Sequence, residues 1–262
     1  MFDYPWPPMA PSPAFAALRD ALDIRFRPAS PGAFVQADGS AVRTGLDPVD
    51  RALAGGFPKG VISTLEGPAS SGRSALAASL LAAATAGGGA AALVEWRDDP
   101  SGGLFAPTLA AAGVALERLL IVRVERELDV MRAADIVLRS SAFGALAIPA
   151  VPRARATMWT RLASLAHRAN AVVLAVGTEI SSELRYFASV RVECSLRETR
   201  WLGAPGPFRS LAGYELCAQI RKHKRAAPNG EARLAACCEG SFSHLSYACK
   251  SGSNGRARSR AG

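Results

Sequence analysis

At 262 residues and 27.3 kDa, with 49% apolar residues, the chain is large enough to bury one substantial core with extensions. The formal net charge of +9 and pI near 9.9 suit an anionic partner, either nucleic acid or an acidic protein. The five cysteines, Cys194, Cys217, Cys237, Cys238 and Cys249, have no C-x-x-C spacing and the three histidines do not cluster with them, which argues against a zinc site.

Met1 to Pro13 is proline-rich and lacks a basic region followed by an apolar stretch, so it does not read as a signal peptide. The expectation is a cytoplasmic protein with reduced thiols and no membrane association. A short helix is expected from about Ala14 to Leu22, then a linker marked by Pro28, Pro31 and Gly32. Buried strands are expected at Val61–Leu65, Ala91–Val94, Leu119–Val122, Ala145–Ile148 and Ala171–Val176. Between them Val130, Ala134, Val137 and Leu138 recur at helical spacing, as do Trp159, Leu162, Ala163 and Ala166. Ala75 to Val94 carries no charge over a span-length stretch, but Gly87-Gly88-Gly89 interrupts it, so a helix followed by a strand accounts for it better than a membrane span. After Phe187 the pattern changes to strands and turns at Val190–Glu193, Tyr214–Ile220 and about Ala232–Cys237, which suggests antiparallel additions at one edge. The chain ends in a Gly/Ser-rich segment holding Lys250, Arg256, Arg258 and Arg260 without an acidic residue, read as a basic, disordered tail.

Gly67-Pro68-Ala69-Ser70-Ser71-Gly72-Arg73-Ser74 follows the first of these strands and opens a helix, the context of a phosphate-binding loop. In such a loop glycines let successive N–H groups turn around phosphate oxygens, and the helix adds its dipole. Gly67, Pro68, Ser70, Ser71, Gly72, Arg73 and Ser74 are therefore the candidate nucleotide-binding residues, with Ser74 the candidate magnesium ligand for ATP. The usual lysine is replaced by Arg73, which keeps the charge but presents a longer planar fork. A glycine-rich turn with no ligand is the alternative.

The loop, with Thr44-Gly45-Leu46-Asp47-Pro48-Val49-Asp50, Gly55-Gly56-Phe57-Pro58-Lys59-Gly60, Tyr186-Phe187-Ala188-Ser189-Val190-Arg191 and Arg221-Lys222-His223-Lys224-Arg225-Ala226-Ala227-Pro228, resembles the bacterial RecA recombinase core in the family's order over about residues 40 to 235. The resemblance implies an α/β fold, a RecA-type P-loop core with a mostly parallel central sheet, helices on both faces and antiparallel edge strands. The expected organisation is a leader, short helix and linker over 1–43, the core over 44–240 and the tail over 241–262.

The sequence departs from the family where that chemistry is done. Pro149 follows the strand whose end should carry the acidic residue for the metal-bound water. Arg97 falls where the water-activating glutamate should be, with Asp98 and Asp99 just beyond, and Thr178 takes the place of the phosphate-sensing glutamine, with Glu179 next to it. Both DNA-binding loops are cut down, to Val151–Ala156 and Glu179–Leu184. Arg153, Arg155 and Arg185 are the remaining candidate DNA contacts, with a solvated loop as the alternative. Lys222 and Lys224 alternate on a predicted strand and so share a face. By the resemblance a lysine pair here reaches a neighbour's triphosphate; by the residues alone it reads as an exposed basic edge strand that discourages aggregation. Phe26 sits where the family docks on the next protomer.

These departures resemble the accessory proteins of bacterial mutagenic repair, the ImuA group within the SulA/RecA-like set. That resemblance implies a protein of the DNA-damage and SOS responses that binds a polymerase-like subunit and supports translesion synthesis, rather than an enzyme in its own right. The rival is an ATP-dependent recombinase or regulatory, DNA-dependent ATPase in which Asp98 or Glu179 takes over the acidic role. A third reading is a damage-induced inhibitor of a cell-division or polymerase protein.

Overall fold

The computed structural model describes residues 17–18, 40–98, 104–149, 151–203, 206, 208–226, 230–238 and 245–248. Of the predicted N-terminal helix only Ala17 and Leu18 are among them, both helical; Phe26 and the residues from 249 onward lie outside the described set.

A two-stranded antiparallel pair, β1 (Ala41–Val42) and β2 (Phe57–Pro58), brackets helix α1 (Asp47–Ala52). The turn into α1 is fixed by Asp50, whose carboxylate accepts from the Thr44 hydroxyl at 2.8 Å and from the N–H groups of Thr44 at 2.8 Å and Gly45 at 3.1 Å. Three hydrogen bonds satisfy a carboxylate that is almost fully buried.

The remaining strands are β3 (Ile62–Glu66), β4 (Ala91–Trp96), β5 (Leu119–Val124), β6 (Ala145–Pro149), β7 (Val172–Gly177), β8 (Val190–Leu202), β9 (Ser210–His223), β10 (Glu231–Cys238) and β11 (Leu245–Ala248). They form one nine-stranded sheet in the order β11-β10-β9-β8-β3-β7-β6-β4-β5. From β8 to β5 every neighbouring pair is parallel, and β8 through β11 form an antiparallel meander at one edge.

The helices are α2 (Arg73–Thr85), α3 (Ala106–Ala111), α4 (Asp129–Arg139), α5 (Ala156–Ala169) and α6 (Ser182–Phe187). Strand alternation assigns each core residue to a face. Ala91, Leu93, Ala145, Ala147, Val172 and Leu174 pack with Leu76, Leu80 and Leu81 of α2, whereas Ala92, Val94, Leu146, Ile148, Val173 and Ala175 pack with Val130, Val137, Trp159 and Leu162 of α4 and α5. Both faces of the parallel strands are thereby covered, as parallel sheets require. The glycine run after α2 ends that helix before β4, and no helix among the described residues is long and apolar enough to cross a membrane.

Several boundaries differ from the sequence expectations. Leu119–Val122 is not a buried strand: β5 closes the parallel edge and Ile121 is exposed. The antiparallel strands run further than predicted, because their outer residues are stabilised by cross-strand pairing rather than burial. β11 falls within the segment assigned to the tail, so the sheet extends past residue 240.

Candidate functional site

The loop 67–74 leaves the C-terminal end of β3, which lies between β7 and β8. The chain crosses from β3 to β4 on one side and later returns to place β8 on the other, so the loop stands at a point where strand order reverses. Open α/β sheets form ligand crevices at such points. Gly67 N–H donates to the Gly177 carbonyl at 3.3 Å and Ser71 N–H to the Pro68 carbonyl at 3.3 Å. Gly72 takes the left-handed conformation, φ +86°, that starts α2. A side chain there would also meet Leu216 Cδ1 at 2.3 Å, so this glycine is held by packing as well as by its φ. Pro68, Ser70 and Ser74 are exposed, while Gly67 and Ser71 are buried. The buried Ser71 hydroxyl oxygen has no hydrogen-bond partner among the described residues.

The Arg73 guanidinium folds back and donates to the carbonyl of Gly67, the first residue of its own loop. The carboxylates at the strand ends are similarly engaged. Glu66, immediately before the loop, is nearly buried and accepts from Arg191 at 2.9 and 3.4 Å and from Arg185 at 3.1 Å. Glu95, at the end of β4, is buried and paired with Arg123. Arg97 turns to Glu125 at 2.9 Å. Pro149 ends β6 with a buried side chain that offers no ligand atom, and Thr178 and Glu179 are exposed. The loop backbone and the exposed Ser74 hydroxyl fit a phosphate group. Both oxygens of the nearby Glu66 carboxylate accept from arginines, whereas Glu95 bonds to Arg123 through Oε1 and its buried Oε2 has no partner among the described residues.

Arg153 and Arg155 are exposed on the short link between β6 and α5, where the Arg153 N–H donates to Glu127 at 2.7 Å. Arg185 is not in a loop: α6 begins at Ser182, capped by the Ser181 hydroxyl, and directs Arg185 onto Glu66. Lys222 and Lys224 are close enough for their charges to interact. β9 ends at His223, so Lys224 lies beyond the strand, and Lys222 Nζ donates to the Arg185 and Tyr186 carbonyls at 3.0 and 3.2 Å. Burial first, then the neighbouring Lys224 and Arg191 charges, hold the Lys222 ammonium below the ordinary lysine range.

The Glu66–Arg185–Arg191 cluster escaped sequence reasoning. Its signals were a carboxylate directly before the loop and an arginine closing the Tyr186–Arg191 stretch, residues far apart in sequence that only the β3–β8 pairing brings together.

The RecA N-terminal domain family matches residues 32–157. Protein RecA of Picosynechococcus sp. is 27% identical over 225 residues, covering 72% of this chain. The chain spans 62% of that relative's length. The chain is similar to RecA proteins over this region, and its sheet order and loop placement are consistent with a RecA-type fold.

Proposed function

We propose that the chain is a RecA-like accessory protein of the DNA-damage response, which supports repair or translesion synthesis by contacting a polymerase-like repair protein and DNA, without efficient ATP hydrolysis. The observation that carries this reading is Arg73, which replaces the loop lysine and whose guanidinium donates to the Gly67 carbonyl of its own loop. A lysine in a working loop neutralises the outer phosphates, and removing water-positioning and charge-stabilising groups costs orders of magnitude in rate. Pro149 and Arg97 leave their positions without the acids that would supply those roles. The loop also has a packing role, since Gly72 at the start of α2 lies against Leu216 of β9. DNA-repair function and cytoplasmic residence accord with the RecA likeness, and the net positive charge accords with DNA contact.

The test is genetic. Deleting the gene from its host should lower damage-induced mutagenesis, and Ser74→Ala should restore it as well as the natural chain. A Ser74→Ala protein that accumulates normally but fails to restore mutagenesis would contradict the proposal, since metal-nucleotide binding would then be required.

A further inference from the structure

The longest stretch of the chain without an acidic residue runs from Ile136 to Thr178, and it holds Arg139, Arg153, Arg155, Arg161 and Arg168. Its strands β6 and β7 are buried in the sheet, so the stretch meets solvent mainly along α5 and the link before it. α4 and α5 pack side by side on one face of the sheet. Asp135 of α4 joins them, accepting from Arg161 of α5 and, at 2.9 Å, from Arg139 of its own helix. At the start of α4, Asp129 is shared in the same way by Arg126 at 2.8 Å and Arg132 at 3.2 Å. One carboxylate cannot neutralise two guanidinium groups, so each aspartate leaves positive charge over. Arg168 is exposed and forms no ion pair among the described residues.

The arginines are also regularly spaced. Arg132 and Arg139 on α4, like Arg161 and Arg168 on α5, lie seven residues apart, two turns or about 10.5 Å, and so share one side of their helix. Ile136, half-buried, lies one turn from Arg132 and from Arg139. Charge at seven-residue spacing beside an apolar residue is the pattern by which one helix recognises another through flanking ion pairs. Duplex phosphates recur every ~3.4 Å along each strand, far more closely than these arginines. Trp159, the one large aromatic of the two helices, is buried and offers no surface to a base. We propose that the α4–α5 face docks an acidic helix of a partner protein, whose carboxylates at heptad spacing meet Arg139, Arg161 and Arg168 and whose apolar side packs on Ile136. Asp135 holds two of the arginine forks in place beforehand, which lowers the ordering cost of the pairing. The inference stands on charge and helix geometry, independent of the phosphate loop and of the accessory role.

The probe is a labelled synthetic helix of about four heptads, long enough to be helical in water, with leucine on one side and glutamate flanking it once per heptad. A scrambled peptide of the same composition and a DNA duplex of matched charge are the comparisons. Fluorescence anisotropy with the full chain should show salt-sensitive binding of the ordered peptide, about tenfold tighter than the scrambled one. Arg168→Glu should weaken it about tenfold, whereas Arg200→Glu, at an exposed arginine on the β8–β9 hairpin, should leave it unchanged. Both variants should melt with the natural chain, since both side chains are exposed. No binding, equal affinity for the ordered and scrambled peptides, or an Arg168→Glu protein that binds like the natural chain would overturn the proposal. So would a duplex that displaces the peptide and loses affinity on Arg168→Glu to the same degree, which would make the face a nucleic-acid surface.

Discussion

The Arg73 guanidinium and the Gly67 carbonyl belong to the same loop, so the residue that should reach outward to phosphate closes inward instead. Arginine can do this because its stem is long and its planar fork offers several donors, whereas an ammonium on a lysine stem acts as a point charge. A second residue-scale feature is chemical. Cys194 on β8 is buried, and burial, followed by the nearby Cys217, pushes its thiol up to about 12. Once the unfolded thiol ionises, the folded state, which keeps the thiol neutral, loses stability relative to the unfolded chain. Its contribution is therefore intact below the ordinary value of 9.0 and is lost as pH rises toward about 12. Stability in urea should fall by about 1.4 kcal/mol per pH unit more steeply across that window for the natural chain than for Cys194→Ala. Equal slopes would refute the assignment.

At the scale of elements, the loop is fixed by the antiparallel meander as much as by its own strand. Leu216 of β9 packs where a Gly72 side chain would sit, and the Cys194 carbonyl of β8 approaches the site of a Gly67 side chain. Gly72→Ala should cost about 1–3 kcal/mol, combining the left-handed backbone penalty with displacement of Leu216. Gly45→Ala provides the comparison, since its φ of +77° is similarly left-handed and nothing lies within 4 Å of the added carbon. It should cost about 1 kcal/mol from the backbone alone. Chemical denaturation of both variants checks this, and a Gly72→Ala cost no larger than that of Gly45→Ala would contradict the packing. The Glu66 cluster acts at the same scale: one carboxylate ties α6 and β8 to the end of β3, and Lys222 of β9 caps the carbonyls of α6.

For the whole molecule, the parallel strands and their helices were legible because short apolar runs alternate with helical spacing, and Gly87–Gly89 mark the end of α2. Ile121 was misread as core because a parallel edge strand is as β-branched and apolar as a central one. The bonds of Lys222 to the Arg185 and Tyr186 carbonyls were not legible because they join segments far apart in sequence. The loop was legible as a motif, but the inward turn of Arg73 and the arginine clamp on Glu66 depend on tertiary geometry that no local pattern encodes. We propose that a RecA-type scaffold is kept here without its hydrolytic chemistry. This proposal is tested most directly by the steady-state ATP hydrolysis rate of the purified full chain, with and without single-stranded DNA, alongside Arg73→Lys and Ser74→Ala. No DNA-stimulated turnover is expected in any of the three, because restoring the lysine leaves Pro149 and Arg97 in place. DNA-stimulated hydrolysis by the natural chain that Ser74→Ala abolishes would contradict it.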